Sequence, residues 1–229
     1  MAFKPTNLPD QIARYLRNKI IRGELPPGKR IGEAELAQEL GVSRGPIREA
    51  FLILEKKMLI ELTPRRGVRV TEMSAAFIDC LYDVLTELYA LLARKTAEMR
   101  TEEDLHALGE AMQKLEDFAA AGETTGYYEA VFEYSAVCRQ IIRNPLLDRL
   151  LEDFEPSVRR TEFASFSQRL VELGRNVQIL RDLTRYIQEG DGEAAAQTIR
   201  DYLVVEKKFA MELRMEVPDD QKGNTGNQE

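Results

Sequence analysis

Between Leu8 and Arg22, apolar side chains return every fourth position, at Ile12, Leu16 and Ile20, and this spacing predicts a helix with one buried face. The segment Gly23-Glu24-Leu25-Pro26-Pro27-Gly28 ends it, since two prolines and two glycines cannot carry a helix onward. A second, short helix is expected from Gly32 to Leu40, with Leu36, Ala37 and Leu40 turned inward, and Gly41 supplies the left-handed residue that closes it. Only Val42 lies between that glycine and Ser43, an N-cap for a third helix from Arg44 to Lys57 that tolerates Pro46 in its first turn. Ile47, Phe51 and Leu54 share one face of this helix, which leaves Arg44 and Arg48 outside. Ile60–Thr63 and Val68–Thr71 then alternate apolar and polar residues with period two across Pro64-Arg65-Arg66-Gly67, predicting a two-stranded hairpin with a basic tip.

From Ser74 onward the period-two signal is gone and long helical patterns follow. Breaks at Thr101, at Gly122 to Gly126, at Asn144-Pro145, near Pro156 and at Gly190-Asp191-Gly192 divide this part into about six helices. The first, Ala75 to Arg100, is long and continuous, and Thr101-Glu102-Glu103-Asp104 has the form of a capping signal for the second. The polar, glycine-containing stretch 215–229 is expected to be disordered. The reading is a mainly α chain: a winged helix-turn-helix over 8–73, an all-helical bundle over 74–214, and a tail.

Composition narrows the choice of function. A chain of 229 residues with 44% hydrophobic and 31% charged residues can bury two modest cores. It has neither a 20-residue apolar run nor a signal-peptide core near its start, so a cytoplasmic location without a membrane partner is expected. Cys80 and Cys138 form no spaced pair and read as reduced, buried thiols. The net charge of −7 argues against a polyanionic partner until it is divided along the chain. Residues 1–74 carry 14 Lys and Arg against 9 Asp and Glu, and all the acidic excess lies beyond them. A basic head on an acidic body is compatible with DNA, because a polyanion responds to the local field.

The chemistry lies in the third helix and the hairpin. Arginine can read the paired acceptors O6 and N7 of guanine in the major groove, while small hydroxyls and helix N-terminal amides hold phosphate. Ser43, Arg44, Gly45 and Arg48 occupy those places on the third helix, and Arg65, Arg66 and Gly67 form a wing tip suited to backbone or minor-groove contact. No nucleophile-base set, phosphate-cradling glycine loop or metal-ligand spacing is present, so the reading is not an enzyme.

The stretch LAQELGVSRGPIREAF, the Pro26-Pro27-Gly28 turn and the wing glycine Gly67 closely resemble the DNA-binding domain of the GntR family of bacterial repressors over residues 10 to 71. That resemblance implies DNA contacts for Ser43, Arg44, Arg48 and Gly67. At position 45 the family usually has threonine; glycine here leaves only an amide to meet phosphate. The helical remainder, through the Asn144-Pro145-Leu146-Leu147 break and the closing IQEGDGEAAAQTIRDYL, is similar to the FCD effector domain of the FadR subfamily.

Members of that subfamily commonly hold a divalent metal with one Asp and three His, and the metal holds a carboxylate effector. Carried over by position, those places fall on Val131, Ser135, Leu180 and Tyr202, none of them a good ligand. A register shifted by two would offer Glu129 and Glu133, still without imidazoles; the single histidine, His106, belongs to the polar second helix. Leu85 stands where the family often has an arginine for the effector carboxylate. No metal or cofactor is therefore expected. A metal-free cavity with Ser135, Arg139 and Tyr202 as polar handles is the expectation for a small-molecule effector. The resemblance implies a homodimer on a palindromic DNA operator, acting as a repressor. The alternative is a helical domain that only dimerises.

Overall fold

The computed structural model describes residues 7–63, 67–166 and 173–215. Arg65, Arg66 and the stretch 216–229 lie outside them, and with these the expectations of a basic wing tip and a disordered tail.

The head follows its periodicity closely. Helix α1 (Leu8–Ile21) buries Ile12, Leu16 and Ile20, α2 (Glu33–Leu40) buries Leu36 and Ala37, and α3 (Arg44–Lys56) buries Ile47, Ala50, Phe51 and Leu54. These faces meet in one core with Leu59, Ile60 and Val70. Gly41 stands at φ +67°, its amide and that of Val42 bonding back to the carbonyls of Gln38 and Ala37. That closure spends two carbonyls α2 would otherwise leave open and sets the tight turn into α3.

The hairpin strands β2 (Ile60–Thr63) and β3 (Gly67–Val70) form as predicted, but the sheet has three strands, not two. The two-residue strand β1 (Arg30–Ile31) pairs antiparallel with β3 on its other side, with Arg30 opposite Arg69 and Ile31 opposite Val68. Two residues are too few for a period, so tertiary pairing alone reveals this strand.

The body holds six described helices: α4 (Ala75–Met99), α5 (Glu102–Ala121), α6 (Thr124–Ile142), α7 (Pro145–Phe166), α8 (Leu173–Glu189) and α9 (Gly192–Met215). Helix α4 packs on α6, α8 and α9, around a second apolar core that shares no buried residue with the first. Thr101 and Asp104 make the reciprocal capping box at the start of α5, as its sequence predicts. Asn144 Oδ1 accepts the amides of Leu146 and Leu147 at 3.1 Å and so starts α7.

Two expectations are corrected here. Gly126 does not break the chain but lies inside α6, where a Cβ would overlap the ring of Phe118; it permits the close approach of α5 and α6. Pro156 does not end a helix either, because α7 runs through it to Phe166. Proline removes the amide that would have bonded the Glu152 carbonyl. That carbonyl instead accepts the Lys57 ammonium at 3.3 Å, from just beyond α3. A side chain of the head therefore satisfies the group that the proline orphans, and the helix continues.

Candidate nucleic-acid interface and inner cavity

Helix α3 presents its beginning to solvent. Ser43, its N-cap, has extended backbone and no side-chain cap bond, and Ser43, Arg44 and Gly45 are all exposed. A Cβ at Gly45 would meet nothing within 4 Å, so the missing hydroxyl reflects no packing constraint. Arg44 makes no hydrogen bond or ion pair among the described residues. Arg48 does: its Nε lies 3.0 and 2.9 Å from the two carboxylate oxygens of Glu33 on α2. The pair stands at the surface, with the Arg48 side chain 67% exposed, and its two terminal nitrogens engage no described group. Glu33 holds the arginine's stem side while the two terminal nitrogens of the fork stay open. The carboxylate beside it raises the Arg48 pKa, so the guanidinium stays charged.

One helical turn further, Leu52 continues the outward face of Arg44 and Arg48 and is itself exposed, an apolar group that helical periodicity could have flagged. Sequence reasoning also missed Arg30. Strand pairing sets it beside Gly67, the wing residue at φ +82°, with its guanidinium 3.6 Å from where a Cβ of residue 67 would sit. Arg69, across from Arg30, donates to the Gly28 carbonyl at 3.0 Å and braces the turn before β1. The exposed cations of the described interface are thus Arg44 and Arg48 on the helix, and Arg30 and Arg69 on the sheet.

The second site is inside the body. Val131, Ser135, Leu180 and Tyr202 come from three different helices and line one cavity of about 70 Å³, together with mostly aliphatic neighbours such as Leu92 and Leu203. Arg139 does not join them. It faces an outer groove with Arg143 and Asp148 and pairs with Asp148 at 3.2 Å, because it lies one turn past Ser135 and rotated toward α7. Glu129 and Glu133 point outward too, to Arg159 at 3.0 Å and to Lys114. Leu85 is fully buried, and His106 is exposed beside Glu110.

The four positions carried over from the family, two aliphatic side chains and two hydroxyls, do not fit a divalent metal, and the other heteroatoms at the wall are the hydroxyls of Tyr89 and Tyr134 and the thiol of Cys138. Among the described residues no cluster of three His, Cys, Asp or Glu could share an ion. Burial pushes the Cys138 thiol up to about 12 and the Tyr134 hydroxyl well above its usual value, so both stay protonated at neutral pH. Cys80, by contrast, is exposed on α4, not buried as its helical context suggested.

A helix pair closed by a left-handed glycine, an exposed arginine-bearing helix start and a strand-braced wing, joined to a separate helical bundle, define a winged-helix transcription regulator. Residues 8–70 match the family described as bacterial regulatory proteins, gntR family, and residues 80–204 match the FCD domain. The chain belongs to the GntR family of bacterial regulators, in its FCD-bearing branch. The HTH-type transcriptional repressor RspR of Escherichia coli K12 is 26% identical over 219 residues, covering 94% of this chain and 93% of RspR. The regulator YdhC of Bacillus subtilis is 35% identical over 113 residues, about half the length of each chain. Among solved structures, E. coli McbR/YncC superposes with a TM-score of 0.76 over 93% of this chain at 20% identity, a likeness of fold. A GntR transcriptional regulator from Rhodococcus sp. RHA1 superposes at 0.68 over 89% of this chain and 97% of its own, at 25% identity. These relatives are transcription regulators and not enzymes.

Proposed function

We propose that the protein is a cytoplasmic repressor that binds a palindromic operator as a homodimer and answers to a small-molecule effector in the helical domain. The head, 8–73, reads DNA; the body, 74–214, pairs two subunits and holds the effector. The observation that carries this reading is the exposed start of α3, where Arg44 is free and Arg48 keeps its terminal nitrogens open. Ser43 and the Gly45 amide are suited to phosphate, and Gly67 with Arg30, Arg65 and Arg66 to the backbone beside the wing. Two such helices in a dimer reach successive major grooves about 34–36 Å apart.

Dimerisation is supported by an exposed apolar line on α4, Cys80, Val84 and Leu91, which fall on one helical face and leave apolar surface that the described residues do not bury. Two relatives bear the name of repressor: RspR and the galactonate operon repressor of E. coli. Ser135 and Tyr202 are the polar handles of the effector cavity; Arg139 faces the outer groove and takes no part.

DNA fragments selected by the purified protein supply the operator, on which Arg44→Ala and Arg48→Ala are each expected to lower affinity by about ten- to a hundredfold at fixed salt. Arg44→Ala should also relax discrimination at one base position. Wild-type affinity in both variants would refute the reading.

A further inference from the structure

We propose that the inner cavity of the helical domain takes a small, uncharged, largely aliphatic molecule carrying one hydrogen-bonding group, and neither a metal ion nor a carboxylate. This rests on the reading of the cavity as the effector site. None of its lining residues is a carboxylate, imidazole, ammonium or guanidinium. The charged groups nearest along α6 are all turned to the outside and paired there, Glu129 with Arg159, Glu133 with Lys114 and Arg139 with Asp148.

An ion entering this space would lose its hydration and find no counter-charge, a cost that apolar walls cannot return. A metal would fare no better, because the heteroatoms at the wall are the hydroxyls of Ser135, Tyr202, Tyr89 and Tyr134 and the Cys138 thiol, which burial keeps protonated, with no carboxylate or imidazole among them. An uncharged alkyl group, in contrast, gains from leaving water and from dispersion contact with Leu92, Leu183 and Leu203.

Among the hydroxyls at the wall, that of Ser135 stands apart. Ser135 Oγ has no hydrogen-bond partner among the described residues and is half-buried at the wall, so it can give or accept one bond and orient a ligand with a single hydroxyl, carbonyl or amide. Size limits the ligand further. A cavity of about 150 Å³ lined by aliphatic groups accepts benzene. This one is about half as large, enough for an alkyl group of three or four carbons without rearrangement.

The test uses the full chain, methyl-labelled at Ile, Leu and Val, titrated with butan-1-ol, butyrate and zinc chloride at neutral pH. Butan-1-ol is expected to give saturable shifts at the Leu180, Leu203 and Ile199 methyls, while butyrate and zinc leave them in place. Ser135→Ala should weaken butan-1-ol about three- to tenfold, and Leu180→Phe, which fills the space, should abolish the shifts; a dispersed methyl spectrum and a cooperative thermal unfolding transition in each variant show that it folds. Butyrate saturating these methyls as well as butan-1-ol, zinc moving them, or no saturable shift with butan-1-ol overturns the proposal. An operator titration in saturating butan-1-ol is read separately. Unchanged DNA affinity beside clear methyl shifts sinks the effector role of the site while supporting its ligand class.

Discussion

Arg160 on α7 is 7% exposed, and its only hydrogen bond among the described residues runs from Nη2 to the Thr71 carbonyl, 2.9 Å away, in the linker between the head and α4. No carboxylate among the described residues pairs with it, and burial pushes its guanidinium down to about 10. Below pH 10 folded and unfolded chains both hold the proton, so the folded state bears the whole desolvation cost. As pH rises from 10 toward the ordinary value, the unfolded chain keeps a proton that the folded one gives up, and stability increases from this group. At neutral pH the charged guanidinium therefore sets a desolvation cost against the hydrogen bond by which it ties down the linker. Arg160→Met is expected to leave unfolding free energy at pH 7 unchanged or higher by about 1–3 kcal/mol, as for other buried charges replaced by apolar groups of similar volume. Urea denaturation checks this, and a loss of 2 kcal/mol or more would mean that the bond to Thr71 outweighs the buried charge.

At the scale of elements, α7 is the piece that joins the two parts. Lys57, just past α3, bonds the Glu152 carbonyl and lies 3.7 Å from Asp153, and Arg160 holds the linker, while Val158 of α7 lines the inner cavity. The contact of Lys57 exists because Pro156 gives up an amide. Lys57→Met is expected to destabilise the chain by about 1–2 kcal/mol, leaving the carbonyl without a donor. In a Pro156→Ala background the alanine amide takes over that carbonyl, and the same substitution should cost clearly less. Equal costs in the two backgrounds, measured as a double-mutant cycle, would show that the orphaned carbonyl has no part in docking the head.

For the whole molecule, the proposed homodimer turns on one exposed surface. Val84 and Leu91 leave apolar area on α4 that the chain itself does not bury. Val84→Glu with Leu91→Glu sets like charges against each other across a symmetric contact and is expected to shift the protein to a monomer in sedimentation. Affinity for the full palindrome should then fall more than tenfold, while a half-site is bound as weakly as before. A dimer that survives both substitutions would move the interface to another face, with Leu146 and Leu150 of α7 the next exposed apolar pair.

The sequence by itself determined what nearest neighbours along the chain decide. The faces of α1, α2 and α3, the left-handed turn at Gly41, the capping box at Thr101 and the outward arginines all follow from periodicity and from the backbone demands of single residue types. Tertiary structure alone decided the pairing of β1, the passage of α7 through Pro156, the hold of Glu33 on Arg48 and the turning of Arg139 away from the cavity that Ser135 lines. Each of these depends on a partner far away in sequence, which supplies a hydrogen bond or a charge that local propensity cannot anticipate.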